Sequence, residues 1–77
     1  MTTKFRRNTT PPIYKEIGAR IRARRLVRGM TQRALAEKIG QNRASLTLIE
    51  HGKQKVAVHD LMAIAAALKI SVSHLLP

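Results

Sequence analysis

The sequence predicts an all-α fold, a compact bundle of five short helices. Three observations carry that expectation. Apolar residues recur every three or four positions through most of the chain, the spacing of one helical face. Most of these runs open on a capping residue and close on glycine. No run alternates apolar and polar residues in the manner of a half-buried strand.

Residues 1–11 (MTTKFRRNTTP) are polar and basic with no period, which predicts a disordered arm ahead of a single domain spanning 12–77. Thr10 before Pro11 and Pro12 reads as a helix start, a capping hydroxyl followed by prolines whose missing N–H costs nothing in a first turn. Ile13, Ile17 and Ile21 then recur every four residues, so the first helix runs to about Arg28 and ends at Gly29. Thr31 caps a second helix over Gln32–Ile39, with Leu35, Ala36 and Ile39 on one face and Gly40 as its stop. Asn42 caps a third, from Arg43 to about His51, ended by Gly52. A fourth runs from Val58 to Leu68 with Leu61, Ile64, Ala65 and Leu68 as its apolar stripe. Ser71 is expected to cap a fifth that holds Val72, Leu75 and Leu76.

Charge narrows the function. Fifteen Lys and Arg face four Asp and Glu, a net of +11 on 77 residues, and such a field calls for a polyanionic partner, nucleic acid before others. With no cysteine, disulfides and cysteine-zinc sites are excluded. No window of eighteen apolar residues exists, so no transmembrane helix is expected. Nor is an enzyme, because there is no close carboxylate pair and no glycine-rich phosphate loop. His51, His59 and His74 are far apart and read as surface residues; no metal and no cofactor is expected.

The informative stretch is Gln32 to Gly52, a short helix, a glycine turn and a second helix, which is the helix-turn-helix unit. At 100° per residue Leu46 and Ile49 fall on the inner arc of the second of these helices. Arg43, Ala44, Thr47, Leu48 and His51 fall on the outer one. That outer face is mixed rather than uniformly charged, which suits reading base edges, and an outward leucine at 48 suits a thymine methyl.

IGARIRARRLVRGMTQRALAEKIGQNRASLTLIEHGK, continued by LMAIAAALKISVSHLL, resembles the Cro and phage-repressor (XRE) family of helix-turn-helix proteins. The marks are Gly29-Met30-Thr31-Gln32, Leu35-Ala36, Gly40, Ile49-Glu50 with Gly52-Lys53, and Ala67-Leu68-Lys69-Ile70-Ser71. The resemblance implies a lambda-repressor-like domain acting as a transcriptional regulator, a repressor of a double-stranded DNA operator. In that reading Arg43, Ala44, Thr47 and Leu48 contact bases, and Gln32, Gln41, Asn42, Lys53, Gln54 and Lys55 contact phosphates. Arg25 and Glu50 resemble a structural ion pair. Three departures stand out. Gln41 replaces a usual apolar turn residue, predicting loose packing or one more phosphate contact. Arg24 replaces a frequent leucine, at a possible loss of core, and Lys69 replaces a usual glycine at a cost in strain.

One recognition helix spans too few base pairs, so a homodimer on a palindrome is expected, with Val56, Val58, Met62 and Leu76 as candidate dimer residues. Lys4, Arg6 and Arg7 of the arm would add electrostatic attraction or enter a minor groove. The implied setting is the cytoplasm of a bacterium, with the protein chromosomal or phage-encoded and on the nucleoid when bound. An antitoxin or restriction-modification controller would use the same DNA-binding face, with a toxin or an additional domain as possible partner. Two other readings predict different behaviour: a protein-interaction adaptor on this fold would bind DNA weakly and without sequence preference. A membrane-active cationic protein would leak anionic vesicles.

Overall fold

The computed structural model describes residues 10–77, and within them every regular element is helical. Four α-helices follow one another: α1 Pro12–Val27, α2 Gln32–Lys38, α3 Arg43–Glu50 and α4 Val58–Leu68. The fifth expected helix is a single 3₁₀ turn, Val72–Leu75. Ser71 does not cap it: its Oγ lies 2.9 Å from that of Ser73, and no side chain accepts from the turn's first amides. Four residues without a cap cannot repay helix nucleation, and the i→i+3 form is what such a short piece adopts. The basic arm expected at residues 1–11 lies almost wholly outside the described residues.

Caps explain where the helices begin. Thr31 Oγ1 accepts from the Ala34 amide at 3.0 Å, and Asn42 Oδ1 accepts from the Ser45 amide at 2.8 Å. Thr10 plays no such part: Pro11 holds the cap position of α1 with no side-chain bond, so the prolines alone set that start. The turn between α2 and α3 is closed by backbone bonds from the Gln41 amide to the Ala36 carbonyl and from Gly40 to Glu37. They require φ +72° at Gly40, a conformation glycine adopts without penalty. The same pair of bonds closes α4, from Ile70 to Ala65 and from Lys69 to Ala66, but there Lys69 holds φ +59°. Lys69→Gly is therefore expected to raise stability by about 0.5–1 kcal/mol, read as a higher midpoint in urea at unchanged slope.

Ile17 and Ile21 of α1, Leu35 and Ala36 of α2, Leu46 and Ile49 of α3, and Leu61, Ile64, Ala65 and Leu68 of α4 meet in one aliphatic core, closed by Val56 and Leu75. Helix α1 packs on α3, α2 on α3, α4 on both α1 and α2, and the terminal turn on α1 and α4. Ile13, counted in the apolar repeat of α1, is half exposed because the helix has already left the core one turn earlier. Arg24 is exposed, so its departure from leucine removes nothing from the buried core. Val56 is buried, which takes it off the candidate dimer surface; Val58, Met62 and Leu76 are exposed.

Candidate nucleic-acid interface

A buried polar network fixes how α3 stands on α1 and α2. Arg25 Nε donates to Glu50 Oε2 at 2.7 Å and its Nη2 to Glu50 Oε1 at 3.0 Å, a two-pronged pair. The remaining terminal nitrogen of Arg25 donates to the Met30 carbonyl at 2.8 Å. Glu50 Oε1 also accepts from Gln32 Nε2 at 3.0 Å, and Gln32 Oε1 lies 3.0 Å from Thr47 Oγ1. One chain of bonds thus joins the last turns of α1, the first residue of α2 and the middle of α3. It sets the angle between the two helices of the unit and aims the outer face of α3.

That face divides into two stripes. Ala44 and Leu48 are exposed, and Leu48 keeps 42% of its surface open to solvent. Arg43, Thr47 and His51, one turn apart, form a wall of an open cleft of about 670 Å³. Its other lining residues are Arg22 and Arg25 of α1, then Thr31, Gln32 and Arg33 at the start of α2. None of these lining side chains is acidic, and Arg25 is neutralised by Glu50 behind it, so Arg22, Arg33 and Arg43 give the cleft its field. A concave surface with one sign of charge concentrates a phosphate backbone.

The structure therefore brings Arg43, Thr47 and Gln32 together in the cleft, with Ala44 and Leu48 beside it. Asn42 spends its Oδ1 on the cap and keeps its amide hydrogens. Gln32 has one amide hydrogen uncommitted among the described residues, at the N-terminus of a helix, where anions are favoured. Lys53 and Lys55 are exposed and Gln54 half-buried in the segment after α3. Gln41 is half-buried, and its amide donates to Asp60 Oδ1 at 3.3 Å, tying the turn to α4 rather than leaving it loose. Thr47 is half-buried too, its hydroxyl proton shared between Gln32 and the Arg43 carbonyl.

Sequence reasoning placed His51 on the outer arc without giving it a contact, and did not single out Arg22 or Arg33 for this surface. His51 had a signal, since it follows Arg43 and Thr47 at helical spacing, and Arg22 precedes Arg25 by three. What was missing is that α1 and the start of α2 wall the cleft on the side that this stripe faces. Among the described residues no three His, Cys, Asp or Glu side chains gather as a metal site would need. No helix of the described residues is long and apolar enough to cross a membrane.

Comparison with known proteins accords with this geometry. No curated protein matches the sequence. Among solved structures, the restriction-modification controller protein C.AhdI from Aeromonas hydrophila superposes with a TM-score of 0.80 at 28% identity, over 83% of this chain and 93% of that one. The clp gene regulator ClgR from Corynebacterium glutamicum gives 0.82 at 30% identity, over 87% of this chain and 71% of its own. SinR, a master regulator for biofilm formation solved in complex with DNA, gives 0.72 at 35% identity over 77% and 95%. Residues 21–75 match the helix-turn-helix family, and the chain accordingly belongs to the XRE-type helix-turn-helix proteins.

Proposed function

We propose that this protein is a transcriptional regulator that binds a double-stranded DNA operator by placing α3 in the major groove, and that it acts as a repressor. The observation that carries the reading is the exposed Ala44–Leu48 face lying beside a cleft lined by Arg22, Arg33 and Arg43. An α-helix fits the major groove, and the flanking cations meet the two phosphate ridges. Arg43 at the first residue of α3 reaches a guanine edge, with Ala44, Thr47 and Leu48 along the bases. Gln32, Asn42, Lys53, Gln54, Lys55 and Arg22 hold phosphates, while Arg25 and Glu50 keep the frame. Gln41 gives one amide hydrogen to Asp60 and keeps the other for a phosphate.

Two copies related by a two-fold axis would read a palindrome with half-sites about 34 Å apart. The exposed Val58, Met62 and Leu76 supply apolar area for that contact. The setting is the cytoplasm, on chromosomal or phage DNA, with no cofactor and no catalysis. Control of a restriction-modification system is a second reading, supported by the match to nearly the whole of C.AhdI.

Selection of bound sites from a random duplex pool tests the proposal, since it reports preference, symmetry and spacing together. On the selected site Arg43→Ala should cost about 1–3 kcal/mol at one base pair and relax preference there, with non-specific affinity little changed. Lys53→Ala should weaken every sequence alike and lower the salt slope by about one unit. Equal losses on all sequences from both variants would remove Arg43 from base reading. Sedimentation of a monomer on a single half-site would remove the dimer.

A further inference from the structure

We infer that the middle of the reading face recognises its site through carbon rather than hydrogen bonds, by packing against the C5-methyl groups of thymines. The inference rests on the DNA-binding reading above and adds to it which feature of the bases is read. Three residues offer themselves there: Ala44, Thr47 and Leu48. Ala44 and Leu48 carry no polar side-chain atom. Thr47 carries one, but its single proton lies between two protein acceptors, Gln32 Oε1 at 3.0 Å and the Arg43 carbonyl oxygen at 2.9 Å. Gln32 is in turn held by Glu50, which is held by Arg25, so turning the threonine proton to a base would leave Gln32 Oε1 without its partner in a part-buried network. Apart from the acceptor lone pairs of the Thr47 oxygen, what the three positions can present without that cost is methyl and methylene.

Apart from Thr47, the polar groups of α3 on the cleft side sit at its ends, Arg43 at the first residue and His51 just past the last. Between them lies an apolar strip whose largest member, Leu48, is 42% exposed. In the major groove the one apolar feature that distinguishes a base pair is the thymine methyl group. A leucine set there gains by covering it and loses by covering a cytosine amino group, which would be stripped of water with no partner. Leu48 thus discriminates against cytosine by desolvation and in favour of thymine by contact.

Replacing thymine by uracil removes the methyl group and leaves every hydrogen-bonding atom in place, so it isolates the contact. The site is first selected from random duplex DNA, and each thymine of a half-site is then changed singly to uracil. One or two positions are expected to lose affinity by about fourfold, the worth of roughly one buried methyl group. Leu48→Ala, a change at an exposed position, should weaken binding to the thymine site and abolish the uracil effect at one of those positions. Thr47→Val should leave the ranking of the four bases unchanged at every position, even where overall affinity falls. A uracil series flat within twofold on a site that is bound selectively overturns methyl reading alone. So does a uracil penalty that Leu48→Ala leaves intact, or a base ranking that changes with Thr47→Val. If no sequence is selected over random DNA, the DNA-binding reading falls and this inference falls with it.

Discussion

Glu50→Ala is expected to cost about 3–5 kcal/mol, because it leaves the buried Arg25 guanidinium facing an empty space. A domain of this length has roughly 4–12 kcal/mol of stability in total. The variant should thus lose a large share of it, with a fall of roughly 15–30 °C in the thermal midpoint followed by circular dichroism. The mechanism predicts more than a lower midpoint. Glu50→Gln keeps an oxygen for the arginine but turns an N–H toward one of its donors, so it should fall between the parent and the alanine variant. Replacing both charges, Arg25→Leu with Glu50→Leu, should be less damaging than Glu50→Ala alone, since neither charge is then buried unpaired. The exposed pair between Glu16 and Arg20, at 3.5 Å, provides the contrast. Glu16→Ala should change stability by less than about 0.5 kcal/mol, because water already screens both groups. A Glu50→Ala variant within 1 kcal/mol of the parent would show that Arg25 is solvated and that the network does not set the pose of α3.

Apolar spacing and capping residues made much of this fold legible before any coordinates. The apolar stripe of α4 is buried as its period implies, and Thr31 and Asn42 cap the helices they precede. These features are local: a helix face and a cap depend on neighbours three or four residues away. What went astray depended on distant partners. Ser71 reads as a cap as well as Thr31 does, yet only four residues follow it and its hydroxyl turns to Ser73. Val56 reads as a surface valine in a polar linker, but the linker folds back and buries it. Gln41 reads as a turn residue that packs loosely or adds a phosphate contact, and only the packing of α4 shows Asp60 within its reach. At the candidate site, Arg43, Ala44, Thr47, Leu48 and His51 fall on one arc from angles alone. That Thr47 has its proton engaged, and that Arg22 and Arg33 share its cleft, follows from contacts across helices, which a single period does not encode.

Gly18→Ala is expected to destabilise the domain by about 2–4 kcal/mol, although alanine is the better helix former by roughly 1 kcal/mol. The two effects oppose each other, and the geometry decides between them. Gly18 is buried in the middle of α1, and a Cβ placed there would overlap the Ile49 carbonyl oxygen and come within 2.6 Å of the carbonyl oxygen of Glu50. Both obstacles are backbone, so no side-chain rotation relieves them; α1 and α3 must move apart. That movement would stretch the Arg25–Glu50 pair, which spans the same two helices, and withdraw support from Ile49 in the core. Operator affinity should consequently fall even at temperatures where the variant remains folded, because α3 loses its fixed pose. An exposed site on the same helix gives the opposite sign: Ala23→Gly should cost only the intrinsic propensity, about 1 kcal/mol, and leave affinity unchanged. Urea titration of both variants, with duplex binding measured in parallel, separates the cases. A Gly18→Ala variant as stable as the parent would mean that α1 and α3 have room between them, and the close crossing that orients the reading face would have to be abandoned.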